Sequence, residues 1–104
     1  MSGGVYGSVR EIDITVVVDG TGVGTTNFEF LGELDTIVLE PPTGTATINW
    51  EIYDRNGKGI IGDTGDVIPC TIPLERRLCN GKATLKIEAS AGTYTGRLRG
   101  IFTL

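Results

Sequence analysis

The side chains that most often carry out catalysis are only partly represented in this sequence. It contains thirteen Asp and Glu residues but no His. Histidine is the commonest general base and the usual activator of a Ser or Cys nucleophile, so both of those mechanisms lack their central group. Two carboxyl groups at a suitable separation hydrolyse glycosides, yet every acid here falls on a predicted solvent face or turn. We therefore expect a protein that is not an enzyme and that uses no cofactor.

The two cysteines, Cys70 and Cys79, are separated by eight residues. Two are too few for a disulfide scaffold, and without His they are too few for a protein-only zinc site. The first interpretation is a reduced pair that acts as small apolar side chains. The alternative is a disulfide that closes the short loop between them, which would indicate an oxidising compartment. No metal site is expected in either case.

Two Gly-containing stretches resemble ligand-binding loops but predict turns. The segment 54–59, with sequence DRNGKG, matches a calcium loop at its first, third and sixth positions. Lys58 then occupies a ligand position, and Gly65 stands where a bidentate Glu is required. Asn56-Gly57 is instead the strongest short-range signal for a β-hairpin. The segment 19–24 has no helix after it to bind a phosphate, so it also predicts a turn.

The charge is divided unevenly along the chain. The net charge is −4, which disfavours wholesale binding to nucleic acid, since phosphates require a basic surface. Residues 1–54 contain one base and nine acids, whereas residues 55–104 contain eight bases and four acids. Either strands from the two halves pair and offset their charges within one molecule, or oppositely charged faces of neighbouring copies attract each other.

The basic residues of the second half include a candidate interface. Arg97 and Arg99 lie two residues apart and therefore on one face of a predicted strand. Arg76 and Arg77 are predicted to lie near them. If the last strand is a sheet edge, this basic stripe either binds the acidic half of a neighbouring copy or protects the edge from aggregation. The partner-interface hypothesis rests on these four arginines and on two residues of the N-terminal segment.

Alternating apolar and polar residues predict β-strands along most of the chain. The apolar positions of one face are Ile12, Ile14, Val16 and Val18; Phe28 and Phe30; Ile48, Trp50 and Ile52; Leu85 and Ile87; and Tyr94, Leu98, Phe102 and Leu104. Short strands are also predicted over 37–40, 58–61 and 67–72, with a polar loop over 62–66. The segment 73–80 is the one candidate for a helical turn, because Leu74 and Leu78 are spaced i, i+4 and Pro73 suits a first turn.

Seven to nine short strands with turns every 8–12 residues predict an all-β protein. We expect an antiparallel β-sandwich, immunoglobulin-like or jelly-roll, with at most one short helical turn. A small closed barrel is the second possibility. Residues 10–104 are predicted to form this single domain.

Residues 1–9 are predicted to form a flexible N-terminal arm. The segment is rich in Gly and uncharged, but it carries Val5 and Tyr6, whose side chains would gain from burial. It is therefore either a frayed terminus or an arm that becomes ordered on a neighbour. It lacks the basic and apolar regions of a signal peptide, so we expect synthesis in the cytoplasm without export by that route.

Three segments resemble the small β-sandwich virion proteins of tailed bacteriophages, and among them the capsid decoration, or cement, proteins. They are the arm 1–9, the segment 47–60 (TINWEIYDRNGKGI) and the closing segment 83–104 (ATLKIEASAGTYTGRLRGIFTL). The resemblance is one of layout over most of the chain and includes no catalytic residue. It implies a structural protein located in the virion, which binds the major capsid protein and forms a homo-oligomer, with a trimer favoured. No membrane or nucleic-acid partner is implied.

Two other functions remain open from the sequence. One is a tail or adhesin module that binds a host receptor or glycan, which would require exposed aromatic residues. The other is a head-to-tail connector or tail-tube component, which would assemble as a ring of six or more copies.

Overall fold

The computed structural model describes residues 7–103, and side chains within residues 8–102. Over this range the chain forms six β-strands and no helix, and every strand pairing is antiparallel. No helix of the described range is long and apolar enough to span a membrane. The strands are β1 (Gly7–Val18), β2 (Val23–Glu40), β3 (Ala46–Asp54), β4 (Gly59–Ile68), β5 (Cys70–Glu88) and β6 (Gly92–Thr103).

The strands follow the spatial order β1-β6-β2-β5-β3-β4. β2 and β5, of 18 and 19 residues, pair with each other along nearly their whole length. Only 32–40 of β2 also pair with β6, and only 83–88 of β5 also pair with β3. The two long strands therefore belong to both layers. The first layer contains β1, β6, the end of β2 and the start of β5, and the second contains β3, β4 and the remaining halves.

The predicted antiparallel β-sandwich is confirmed. The core between the layers contains nearly all of the apolar positions that the alternation selected on each strand. Trp50 is 4% exposed in the middle of β3, and its indole Nε1–H donates to Asp66 Oδ2 at 2.7 Å. Ile12 and Phe102 are half-buried at the margin of the core.

The hairpin predicted at Asn56-Gly57 is present and joins β3 to β4. The Gly57 amide donates to the Asp54 carbonyl at 2.9 Å, and Gly57 has a φ of 80°. The Asp54 carboxylate accepts hydrogen bonds from the Asn56 and Lys58 amides, both at 2.9 Å. The oxygens of Asp54 therefore stabilise the turn, whereas in a calcium loop the residue at this position would bind the ion.

The helical turn predicted over 73–80 is wrong, because these residues lie within strand β5. Leu74 is fully buried whereas Leu78 is 72% exposed, so the two leucines do not share a face. The segment pairs with β2, and backbone pairing to a neighbouring strand outweighs a weak local preference for one turn of helix.

Other predicted boundaries also differ from the structure. The predicted loop 62–66 lies within β4, where the register shifts and Gly65 adopts a φ of 78°. The predicted short strand 37–40 is the end of the long β2. β1 begins at Gly7, so residues 7–9 belong to the strand, and the rest of the predicted arm lies outside the described residues.

Candidate interaction surface

An irregularity in β2 and β5 determines which side chains face outward at one end of the first layer. Leu34 pairs with Arg77 and Thr36 pairs with Pro73, so one residue of β2 lies opposite three residues of β5. Within this bulge Glu75 and Arg76 both have a φ of 58°. The left-handed conformation costs a non-Gly residue about 1–2 kcal/mol, so the bulge holds local strain.

The bulge reverses the alternation of both strands. Before it, Ile72 and Leu74 face the core; after it, Cys79 is the buried residue and Leu78 faces outward. β2 reverses at the same place, since Leu34 and Ile37 are both buried although they are three residues apart. An unbroken strand would bury Leu78 together with Leu74.

The bulge brings Leu78 to the outer face beside two other apolar side chains. Leu78 and Ile101 both pair with Glu33, one from each neighbouring strand, and Leu31 lies two residues from Glu33 on the same face. Leu78 is 72% exposed, Leu31 is 43% exposed and Ile101 is half-buried. We call Leu31, Leu78 and Ile101 the apolar row. Isolated exposed leucines are common on protein surfaces, but a cluster that depends on a strained backbone is not.

Arg76 and Arg77, both predicted to belong to an interface, point in different directions at the bulge. Arg76 stays on the outer face and forms an ion pair with Glu33 at 2.9 Å, between the members of the apolar row. Arg77 points to the side of the sandwich, where it donates to the Ile60 carbonyl of β4 at 2.9 Å and contacts Glu75 at 3.0 Å. Exposed ion pairs of this kind contribute at most about 1 kcal/mol, so Arg76 adds polarity to the row more than stability to the fold.

Arg97 and Arg99 lie on an internal strand, so the premise that the last strand is an edge is wrong. β6 lies between β1 and β2. Arg97 Nε donates to Asp13 Oδ1 at 3.1 Å, and Glu11 Oε1 lies 3.9 Å from Arg97 Nη1. Arg99 pairs in register with Glu11 and Thr36. The acidic first half and the basic second half thus meet within one molecule at this point.

The structure brings the outward arginines of β6 and Arg76 onto one layer, but it directs Arg77 elsewhere. Val5 and Tyr6, the remaining predicted interface residues, lie outside the described residues. The two exposed leucines of the apolar row were not predicted. The sequence analysis paired Leu78 with Leu74 in a helical turn, and no local signal marks the bulge that exposes Leu78.

The two thiols are far apart and free. Cys70 pairs with Leu39 and Cys79 with Gly32, positions seven residues apart on β2. That spacing separates their backbones by roughly 20 Å, whereas a disulfide requires about 7 Å or less. The alternative of a disulfide between them is therefore wrong. Burial raises the pKa of the Cys79 thiol, and burial together with the charge of Asp66 raises that of Cys70.

We expect the thiols to react slowly in the folded protein. A raised pKa lowers the fraction of thiolate, which is the reactive form, and Cys79 is only 2% exposed. At neutral pH an aromatic disulfide reagent should label Cys70 in the folded protein. It should label Cys79 only after the protein unfolds. Rapid labelling of both thiols in native buffer, followed by peptide mass spectrometry, would contradict the burial of Cys79.

Clusters of side chains that could bind a metal or a small ligand are sparse within residues 7–103. No three Asp, Glu, Cys or His side chains of this range come together as a metal site would require. A groove of about 560 Å³ lies between β4 and the start of β5, and its lining includes Trp50, Asp66, Cys70 and Arg77. Two of its polar groups are already engaged within the protein: Asp66 accepts from Trp50, and Arg77 donates to Ile60.

No protein-family description matches this chain, and no curated protein sequence is similar to it. Several solved structures are similar in fold. The pre-peptidase C-terminal domain of a collagenase from Bacillus anthracis is 15% identical, with 88% of each chain covered and a TM-score of 0.49.

Two larger proteins contain a similar unit. A family two carbohydrate esterase from Cellvibrio japonicus is 17% identical, with 91% of this chain and 34% of the esterase covered and a TM-score of 0.45. The VP2 subviral particle protein of infectious bursal disease virus is 15% identical, with 91% of this chain and 32% of VP2 covered and a TM-score of 0.39. The chain thus spans about a third of each, and these similarities concern the fold alone.

Proposed function

We propose that this protein is a structural component of a bacteriophage virion, which decorates the capsid and stabilises it through protein–protein contacts. The observation that supports the proposal most directly is the apolar row, in which the most exposed side chain is Leu78 at 72%. The occupant that we propose for this row is the major capsid protein. The sequence resemblance to decoration proteins motivates the choice of this partner.

The apolar row has the properties of a binding surface. Covering the exposed part of Leu78 alone would contribute on the order of 2 kcal/mol, and Leu31 and Ile101 extend the contact along β2 and β6. The Arg76–Glu33 ion pair lies between the members of the row and offers one positive and one negative group for hydrogen bonds to a partner. Protein interfaces commonly combine apolar contacts with a few hydrogen bonds of this kind.

The leucine at position 78 provides the sharpest test. Leu78→Asp replaces the most exposed member of the apolar row with a charge and should abolish co-sedimentation with empty phage heads. Because the side chain is 72% exposed, the free energy of unfolding should change by no more than about 0.5 kcal/mol. Cryo-electron microscopy of decorated heads would locate the density.

A matched control is available on another strand. Val67 is 58% exposed on β4, so Val67→Asp introduces the same charge away from the apolar row and should leave head binding unchanged. If Leu78→Asp binds heads as well as the unmodified protein, the row is not the binding surface. If no tailed-phage head binds the unmodified protein, the decoration function is refuted.

The described surface gives less support to the alternative of glycan binding. Trp50 and Tyr94 are buried, and the Tyr94 hydroxyl donates to the Ser90 carbonyl at 2.8 Å. Tyr53 is half-buried. A glycan site built on stacking would need exposed aromatic rings, and neither Trp50 nor Tyr94 offers one. A tail-tube function would appear as a ring of six or more copies in native mass spectrometry.

A further inference from the structure

The two strands at the ends of the spatial order, β1 and β4, differ in how their outer edges are protected. An open edge presents unpaired backbone N–H and C=O groups to any other strand, and proteins usually block it with bulges, glycines or charges. β4 has these devices. Its pairing with β3 shifts register twice, Gly65 is left-handed, and the Arg77 guanidinium occupies the Ile60 carbonyl.

β1 lacks such irregularities. It pairs with β6 through twelve consecutive residues without a register shift. Within residues 7–103 no other strand is hydrogen-bonded to its outer edge. Two large apolar side chains on its outward face are exposed, Val9 by 55% and Val17 by 63%. A long, regular edge with exposed valines is a surface that another strand can extend.

The spacing of these valines points to a second copy of the same strand. Val9 and Val17 are each four residues from Asp13. When two copies of β1 run antiparallel about a two-fold axis at Asp13, Val9 of each copy lies opposite Val17 of the other. Directly opposed β-branched side chains stabilise such a pair. Glu11 then faces Thr15, so that Asp13 is the one acid placed against an acid.

We propose that β1 pairs antiparallel with β1 of a second copy, in this register, to form a two-fold symmetric dimer with a continuous sheet. The backbone ladder covers residues 10–16 of each copy. It ends there because the backbone of Gly24 lies against the Val17 carbonyl, so Val9 and Val17 meet at the two ends through their side chains alone. The dimer is tested with the isolated protein and so does not depend on the proposed capsid binding, although Val9 pairs in register with Ile101 of the apolar row.

The charges at the centre are compatible with this arrangement but weaken it. The two Asp13 carboxylates face each other, which is unfavourable. Each is already hydrogen-bonded to Arg97 of its own copy at 3.1 Å, so an arginine flanks the acidic pair on both sides. A seven-residue edge contact with a central repulsion is a small interface, and we expect a dimer that dissociates on dilution.

Sedimentation equilibrium over a dilution series tests the surface. The unmodified protein should form dimers. Val9→Lys combined with Val17→Lys should raise the dissociation constant at least tenfold, with an unchanged circular dichroism spectrum and melting temperature. Val67→Lys, with the same side chain and a similar exposure on β4, should leave the constant unchanged.

Asp13→Asn provides a second test, in which the dissociation constant of the dimer should fall instead of rise. It removes the central repulsion and should tighten the dimer, whereas a surface substitution unrelated to assembly would leave the dissociation constant unchanged. A monomeric unmodified protein, an unchanged dimer in the Val9→Lys/Val17→Lys variant, or equal weakening by Val67→Lys would overturn the proposal. A trimer or a larger ring would also overturn it. When two β1 edges pair about a two-fold axis, each edge is occupied by the other, so the assembly stops at two copies.

Cross-linking tests the register independently. A mixture of a Val9→Cys variant and a Val17→Cys variant should form a disulfide-linked heterodimer under mild oxidation. Val9→Cys alone should not cross-link, because the two copies of position 9 are about 27 Å apart in this register. The unmodified protein under the same oxidation controls for Cys70 and Cys79. Efficient cross-linking of Val9→Cys to itself would refute the register.

Discussion

Replacing Trp50 with alanine is expected to lower the free energy of unfolding by about 3–5 kcal/mol. The indole is 4% exposed at the centre of β3, so its removal leaves a large cavity. It also removes the N–H that Asp66 Oδ2 accepts at 2.7 Å, which leaves a half-buried carboxylate without its donor. Urea denaturation followed by circular dichroism measures the change.

Trp50→Phe separates packing from hydrogen bonding. Phenylalanine fills most of the cavity but has no donor for Asp66, so the loss should fall to about 1–3 kcal/mol. Asp66→Asn in the Trp50→Phe background should then cost less than Asp66→Asn alone. If Trp50→Ala folds with nearly full stability but fails to bind a partner, Trp50 belongs to a functional surface and its assignment to the core is wrong.

Gly24→Ala is the second substitution with a large expected effect, about 3 kcal/mol of destabilisation. Gly24 lies at the start of β2, where its backbone meets the end of β1. A methyl group there would overlap the Val17 carbonyl oxygen and touch Val16 Cγ1. Backbone atoms in a paired strand cannot move aside as a flexible side chain can, so the two elements must separate. Thermal unfolding of the variant should show a clearly lower midpoint.

Gly20→Ala is the matched control, since it lies four residues away in the turn between β1 and β2. A methyl group at Gly20 would meet no atom within 4 Å. This substitution should be neutral or stabilise the protein by up to about 1 kcal/mol, because it reduces the freedom of the unfolded chain. Equal destabilisation by both alanines would show that the close approach at Gly24 is not the cause.

Much of the fold could be predicted because its signals are local. The alternation of Ile48, Trp50 and Ile52 fixes which face of β3 is buried, and Asn56-Gly57 fixes the turn that follows. The misassigned segment 73–80 shows the limit. Its local sequence favours a turn of helix slightly, but β2 supplies a neighbouring strand that no local pattern reveals.

Less of the candidate surface could be predicted. The residue types of Arg97 and Arg99 suggested ion pairs, but their partners depend on β1 and β6 being neighbours, a property of topology. The apolar row depends on the bulge at Glu75 and Arg76, two ordinary residues in a conformation that their types disfavour. Strain of this kind is imposed by the surrounding structure, so the sequence alone gives no sign of it.

The pairing of β1 with β6 has a consequence for how the protein folds. It joins the beginning of the described chain to its end, since Gly7 pairs with Thr103. β1 is the first and β6 the last of the six described strands to be synthesised, and within residues 7–103 β1 pairs with no other strand. The hydrophobic side of β1 therefore stays uncovered until β6 has been made, and their pairing closes a loop that contains the other four strands. We expect slow, late folding for this domain, with nascent chains that are prone to aggregate until β6 is in place.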